Sequence, residues 1–180
     1  NAAIIKVIAE KLVEYKAENI VVDPVMVATS GSSLMQDDAS QALRTLLLPL
    51  ADVITPNVPE GEALSGVKIE TKADMLAAAD RIASAAGTSV LLKGGHLKDS
   101  ADDLLFMDGK VSWFESERIE NSNTHGTGCT LSSAIAANLA LGHGMEESIR
   151  QAKAYITGAL RDGLDLGKGS GPLNHAYRIN

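Results

Sequence analysis

Apolar positions along this chain follow two alternating rhythms. Between residues 2 and 17, Ile4, Ile5, Ile8 and Leu12 interleave with Lys6, Glu10 and Lys11, the three-to-four spacing of an amphipathic helix. Short β-branched or leucine-rich runs follow at 19–23, 52–54 and 89–93, separated by helical patterns at 37–48, 59–65 and 72–86. Runs this far apart, joined by helical sequence, pair as parallel strands through crossovers and not as hairpins. The pattern changes near 103–107 and 110–116, where Asp108-Gly109 sits between two apolar runs, the signature of a tight hairpin. Helical patterns at 127–141 and 145–162 complete the chain. The sequence predicts an α/β layered fold with a mixed sheet. No internal repeat, low-complexity tract or linker divides residues 1–180, which are read as a single domain.

Composition narrows the partners. At 180 residues the chain can bury one sizeable core. A formal charge of −7 argues against nucleic acid as partner, and 3% aromatic residues leave few stacking platforms for bases. The weakly polar stretch 131–141 is far short of the ~20 residues that span a bilayer, so no membrane partner is expected. A lone cysteine, Cys129, forms no intrachain disulfide and fits a reducing, cytoplasmic setting.

The densest chemistry lies in Asn123-Thr124-His125-Gly126-Thr127-Gly128-Cys129-Thr130, which leads into a run of small helix-forming residues. Two glycines bracketing a threonine at a helix start present backbone N–H groups and the positive end of a helix dipole to an anion. Cys129, just inside that helix, sits where the thiolate is favoured. The plain alternative is a glycine turn into a buried helix with Cys129 as a small hydrophobe.

Parallel sheets bind ligands beyond the carboxyl ends of their strands, and three further motifs fall there. Asp23 follows Val21-Val22, Asn57 follows Val53-Ile54, and Lys93-Gly94-Gly95 follows Val90-Leu91-Leu92. Motifs scattered over the chain would thus converge on one rim. Asn57 and Glu60, one helical turn apart, can hold Mg²⁺ through hard oxygens or can simply cap the helix. Glu62 is expected to be solvated. Asp23, held extended before Pro24, can hold a metal-bound water or accept turn hydrogen bonds. Lys93 can pair with triphosphate oxygens or snorkel from a strand edge, and its two glycines permit close backbone approach. His96, His125, His143 and His175 have no partners at metal-ligand spacing, so no zinc site is read. The run 167–171 lacks the Lys-Ser/Thr pair and the preceding strand of a phosphate loop, and reads as a helix exit.

Five motifs in order resemble the hydroxymethylpyrimidine/phosphomethylpyrimidine kinases of the ribokinase-like superfamily. They are Val21 to Gly31, Thr55-Pro56-Asn57-Val58-Pro59-Glu60-Gly61-Glu62-Ala63, Leu92-Lys93-Gly94-Gly95-His96, the 123–130 octapeptide, and Gly171-Pro172-Leu173-Asn174-His175. The resemblance implies a three-layer α/β/α domain with a mostly parallel central sheet. It also implies MgATP-dependent phosphorylation of a pyrimidine alcohol and its monophosphate in thiamine-precursor synthesis. Carried over residue by residue, Cys129 would be the base that deprotonates the hydroxymethyl group. The backbone of Gly126, Thr127 and Gly128 would neutralise the transferring phosphoryl group. Lys93, Gly94, Thr124, Gly126 and Gly128 would contact ATP, and Asp23, Asn57 and Glu60 would organise Mg²⁺. The family begins with a strand and glycine-rich turn that have no counterpart here, so the chain is expected to be N-terminally truncated. Thr29 stands where many members carry a basic residue. The family is commonly oligomeric, which predicts a homo-oligomer. Rival readings are a pyridoxal/pyridoxine kinase of the same superfamily, a cysteine hydrolase using Cys129 with His125, and a non-catalytic nucleotide-binding fragment.

Overall fold

The computed structural model describes residues 1–26, 35–95, 102–115, 126–164 and 171–179. Its backbone contacts divide the chain into two compact units, Asn1–Ser116 and Glu117–Asn180.

The first unit holds a five-stranded sheet in the order β1 (Val21–Val22), β2 (Val53–Ile54), β3 (Ser89–Leu92), β4 (Asp103–Met107) and β5 (Lys110–Phe114). β1, β2 and β3 run parallel, whereas β4 and β5 are joined antiparallel. The β4–β5 turn is the predicted hairpin, with Asp108 and Gly109 both at positive φ and Met107 paired with Lys110. Asp-Gly supplies that geometry because both residues tolerate the left-handed region.

Helix α1 (Ala2–Glu14) precedes the sheet, and helices fill the crossovers: α2 (Asp37–Ala42) between β1 and β2, and α3 (Val58–Ser65) and α4 (Lys72–Ala86) between β2 and β3. α4 starts on a Thr71–Asp74 capping box and stops at Gly87 in the left-handed conformation. Its buried face, Met75, Ala78, Ala79 and Ile82, packs on β3 and β4. Burial of the Met and Ile side chains there is worth about 1.5–3 kcal/mol each.

Two expected helices come out differently. The helix predicted over 2–17 ends at Glu14, because Lys16 turns left-handed and the Ala17 N–H returns to the Leu12 carbonyl at 2.9 Å. The pattern over 37–48 is α-helical only to Ala42. It widens into a π turn at Leu43–Leu47 and then tightens into a 3₁₀ turn at Leu48–Leu50. Pro49 lacks an N–H for the α ladder and its ring crowds the preceding turn, so regular α-helix cannot run through it. The strand expected over 19–23 is paired only at Val21 and Val22, bounded by Asn19 at positive φ and by Asp23-Pro24.

The second unit pairs α5 (Thr127–Ala140) with α6 (Met145–Asp162). The C-terminal turn at residues 175–179 packs on α6, with the Tyr177 ring tilted against Tyr155 at 5.6 Å. Among the described residues no helix is long and apolar enough to cross a membrane.

Candidate active site

Three of the sequence-predicted residues meet at the carboxyl edge of the parallel strands. Asp23 leaves β1, and its carboxylate accepts from Lys93 Nζ at 2.8 Å and from the Thr55 hydroxyl at 3.1 Å. Both partners of the Asp23–Lys93 pair are largely shielded from water. Lys93 continues β3 by one residue, bridging to Asn57 in parallel register, and its N–H donates to the Pro56 carbonyl at 2.8 Å.

Asn57 and Glu60 form a complete capping box at the start of α3. The Asn57 amide oxygen accepts from the Glu60 N–H at 2.9 Å, and the Glu60 carboxylate accepts from the Asn57 N–H at 2.9 Å. Glu60 is buried. Burial pushes its carboxyl above the ordinary range, opposed by the Asn57 N–H and by the Lys93 charge. The Asp23 charge pushes it further up, and the Met26 N–H pulls it down. Glu60 therefore belongs to the same polar cluster as Asp23 and Lys93. Glu62 stays partly open to water, as expected, and is also tied down: its carboxylate accepts the Ile69 N–H at 2.9 Å and pairs with Lys68 at 3.3 Å. The Ile69 bond, foremost, holds its carboxyl below the ordinary range.

The two glycines after Lys93 differ. A Cβ on Gly94 would fall 1.9 Å from the Asp102 carbonyl oxygen, whereas one on Gly95 meets nothing within 4 Å among the described residues. Among these residues, close backbone approach thus applies to Gly94 and not to Gly95. Its N–H donates to the Asp103 carboxylate at 2.9 Å.

In the second unit, Gly126 caps α5 at φ +82° with no side-chain cap hydrogen bond among the described residues, and Thr127, Gly128 and Cys129 form the first turn. The first N–H groups of a helix have no carbonyl within the helix, so this end is suited to an anion. Cys129 is exposed and not a core residue, which removes the plain hydrophobe reading. It lines a cleft of about 640 Å³ together with other residues of α5 and α6, His175 and Arg178. His175 is engaged by Tyr155, whose hydroxyl lies 3.1 Å from both its Nδ1 and its carbonyl oxygen. Thr124, Thr29, His96, His125 and residues 167–170 lie outside the described residues.

Two contributors escaped the sequence reading. Thr55 is fully buried against Asp23, and Asp103 is a buried acid opening a strand of leucines. A charged residue at the head of an otherwise apolar run was the available signal for Asp103.

A family model described as phosphomethylpyrimidine kinase matches residues 1–174. The chain belongs to that family. It is 47% identical over 176 residues to a thiamine biosynthesis bifunctional protein of Geobacter sulfurreducens, covering 97% of this chain and 36% of that protein. It is 41% identical to a hydroxymethylpyrimidine/phosphomethylpyrimidine kinase of Haemophilus influenzae, covering 97% of this chain and 67% of that one. The chain thus spans about a third of the first relative and about two thirds of the second. Among solved structures, the ADP complex of Bacillus subtilis pyridoxal kinase aligns with a TM-score of 0.88 at 38% identity, covering 100% of this chain and 68% of that one. A phosphomethylpyrimidine kinase from Clostridium difficile aligns at 0.77 and 40%, covering 87% and 64%. The fold is ribokinase-like α/β.

Proposed function

We propose that this chain carries the phosphoryl-transfer machinery of a hydroxymethylpyrimidine/phosphomethylpyrimidine kinase. The substrates are MgATP and 4-amino-5-hydroxymethyl-2-methylpyrimidine or its monophosphate. The observation that carries the reading is the Asp23–Lys93–Glu60 cluster at the ends of three parallel strands, in a chain of this family. Two carboxylates around one ammonium leave the cluster rich in hard oxygen donors, which fits Mg²⁺. Asp23, with Asn57 and Glu60, would hold the ion through its water shell. The ion, when bound, offsets charge on the triphosphate.

Lys93 supplies a fixed cation to the phosphates, and Gly94 and Thr124 contact the nucleotide. The N–H groups of Gly126, Thr127 and Gly128 take the charge that gathers on the transferring phosphoryl group. The Cys129 thiolate accepts the hydroxymethyl proton as the alcohol oxygen bonds to the γ-phosphorus. The bond from that phosphorus to the ADP oxygen breaks, and ADP leaves. Because phosphoryl transfer relies mainly on positioning and charge stabilisation, a modest base suffices.

A second reading, a pyridoxal kinase, is favoured by the alignment with the Bacillus subtilis pyridoxal kinase over the whole chain. One experiment separates them: MgATP-dependent phosphorylation by this chain, with the pyrimidine alcohol and pyridoxal as parallel substrates. Faster turnover of the pyrimidine supports the first reading, and faster turnover of pyridoxal replaces it with the second. A cooperatively melting chain that turns over neither refutes both and leaves a nucleotide-binding piece.

A further inference from the structure

The turn that carries Lys93 is gripped from β4 by two aspartates. The β3–β4 register, with Leu92 opposite Leu104, brings Lys93 and Gly94 beside the first residues of β4. There the buried Asp103 carboxylate accepts the Gly94 N–H at 2.9 Å. Asp102 closes the other side through its backbone, whose carbonyl oxygen occupies the space a Gly94 side chain would need. Asp102 is in turn anchored by Lys72 Nζ at 2.6 Å, and that ammonium lies 4.8 Å from the centre of the Trp113 ring. A run of contacts thus leads from α4 and β5 through the start of β4 to the backbone of residue 94.

We propose that Asp103 is a positioning residue for the reaction. By holding the Gly94 N–H it fixes the backbone from which Lys93 reaches Asp23 and, on the functional reading above, the nucleotide phosphates. It touches neither substrate. A carboxylate is a stronger acceptor for a buried N–H than a neutral group, so the turn is held by a charge-assisted bond. Without it, the N–H loses the acceptor it has among the described residues, and the turn moves to find another.

The test reads Lys93 directly, independent of activity. ¹³C-methylation of the lysines of the full chain gives each a resonance, with Lys93→Arg identifying its signal and Asp23→Asn showing its position when unpaired. In Asp103→Ala, the Lys93 resonance is expected to move toward the Asp23→Asn position. In Asp103→Asn, which keeps an acceptor oxygen, it stays near wild type. A Lys93 signal unmoved in Asp103→Ala overturns the proposal, as does an Asn variant that behaves like the alanine one. If the alanine chain does not melt cooperatively, Asp103→Leu, which keeps volume in a strand of leucines and removes the acceptor, takes its place. In kinase assays, the KM for MgATP should rise about tenfold in the alanine variant, the scale of one lost charge-assisted hydrogen bond. The KM for the alcohol should barely move, and Asn should recover most of the loss. A wild-type chain inactive on both alcohols would refute the functional reading while the lysine resonance still decides this one.

Discussion

Neighbouring glycines after β3 allow a sharp test of how tightly the Lys93 turn is built. In Gly94→Ala the new Cβ is aimed at the Asp102 carbonyl oxygen, 1.9 Å away, and this obstacle is backbone that cannot rotate aside. The turn must therefore lift from β4. Overpacking of this kind costs about 1–3 kcal/mol. Lifting also stretches the Gly94 N–H bond to the buried Asp103 carboxylate, a charge-assisted bond worth about 1.5–3 kcal/mol. Together these come to about 2.5–6 kcal/mol. For a chain of this size each kcal/mol lowers Tm by about 2–4 °C, so the fall should be about 5–24 °C. Gly95→Ala is the control. Its Cβ meets nothing within 4 Å among the described residues, and Gly95 is not among the glycines at positive φ. Its effect should stay within about 0.5 kcal/mol, or about 2 °C. Thermal melts of both variants by circular dichroism decide the matter. Equal Tm values would refute the close approach of Asp102 to Gly94 and, with it, the account of the turn.

Three other outcomes are expected. Glu60 has its folded-state carboxyl raised above the ordinary 4.5, so its favourable contribution is present below that pH and lost as pH rises through the raised value. Glu60→Gln has no proton to lose, so the Tm difference, variant minus wild type, should grow as pH rises through that window; parallel Tm–pH curves would count against a buried Glu60. Cys129→Ala should lower turnover by about 10²–10⁴-fold, the scale of one general base, with MgATP affinity little changed; full turnover in that variant would end the base assignment. In the wild type, MgATP should slow alkylation of the exposed Cys129 by iodoacetamide. Gly126→Ala meets nothing within 4 Å among the described residues, so its expected cost is left-handed strain, about 1–2 kcal/mol, seen as a Tm loss of about 2–8 °C; a Tm equal to wild type would contradict φ +82° at the start of α5.

What could be read from sequence was what local chemistry decides. Thr71 and Gly87 mark both ends of α4, so its bounds at 72 and 86 were legible from capping alone. Asp108-Gly109 named its own turn, and the spacing of the apolar runs pointed to parallel pairing of β1, β2 and β3, though not to their order. The break after Ala42 was less visible, because the leucines at 43, 46, 47 and 48 keep a helical rhythm while Pro49 forbids the regular ladder. Least legible were pairings across long separations. Lys93 and Asp23 are 70 residues apart, and nothing near either announces the other. Placing both at strand ends predicted a shared rim, but their salt bridge, the Thr55 hydroxyl beneath it and the Asp103 grip on Gly94 follow only from sheet order and register.

Capping and cation binding stood as alternatives for Asn57 and Glu60; the structure shows the capping box, and cation binding is the proposed second role of the same residues. The capping box uses the Glu60 carboxylate to hold the Asn57 N–H, so the helix start itself fixes the rotamer of a buried acid. That fixed acid feels both the Lys93 ammonium and the Asp23 carboxylate. Burial makes its ionised form costly, and the nearby Asp23 charge makes it costlier. A cation entering such a cluster would meet oxygens already oriented and a carboxyl whose ionisation it would favour. The bond from the Asn57 N–H would then keep the carboxylate from swinging away when such a cation leaves. A cap of this kind stabilises α3 and prepares the acid for its proposed ligand, which is why replacing Glu60 should disturb stability and metal dependence together.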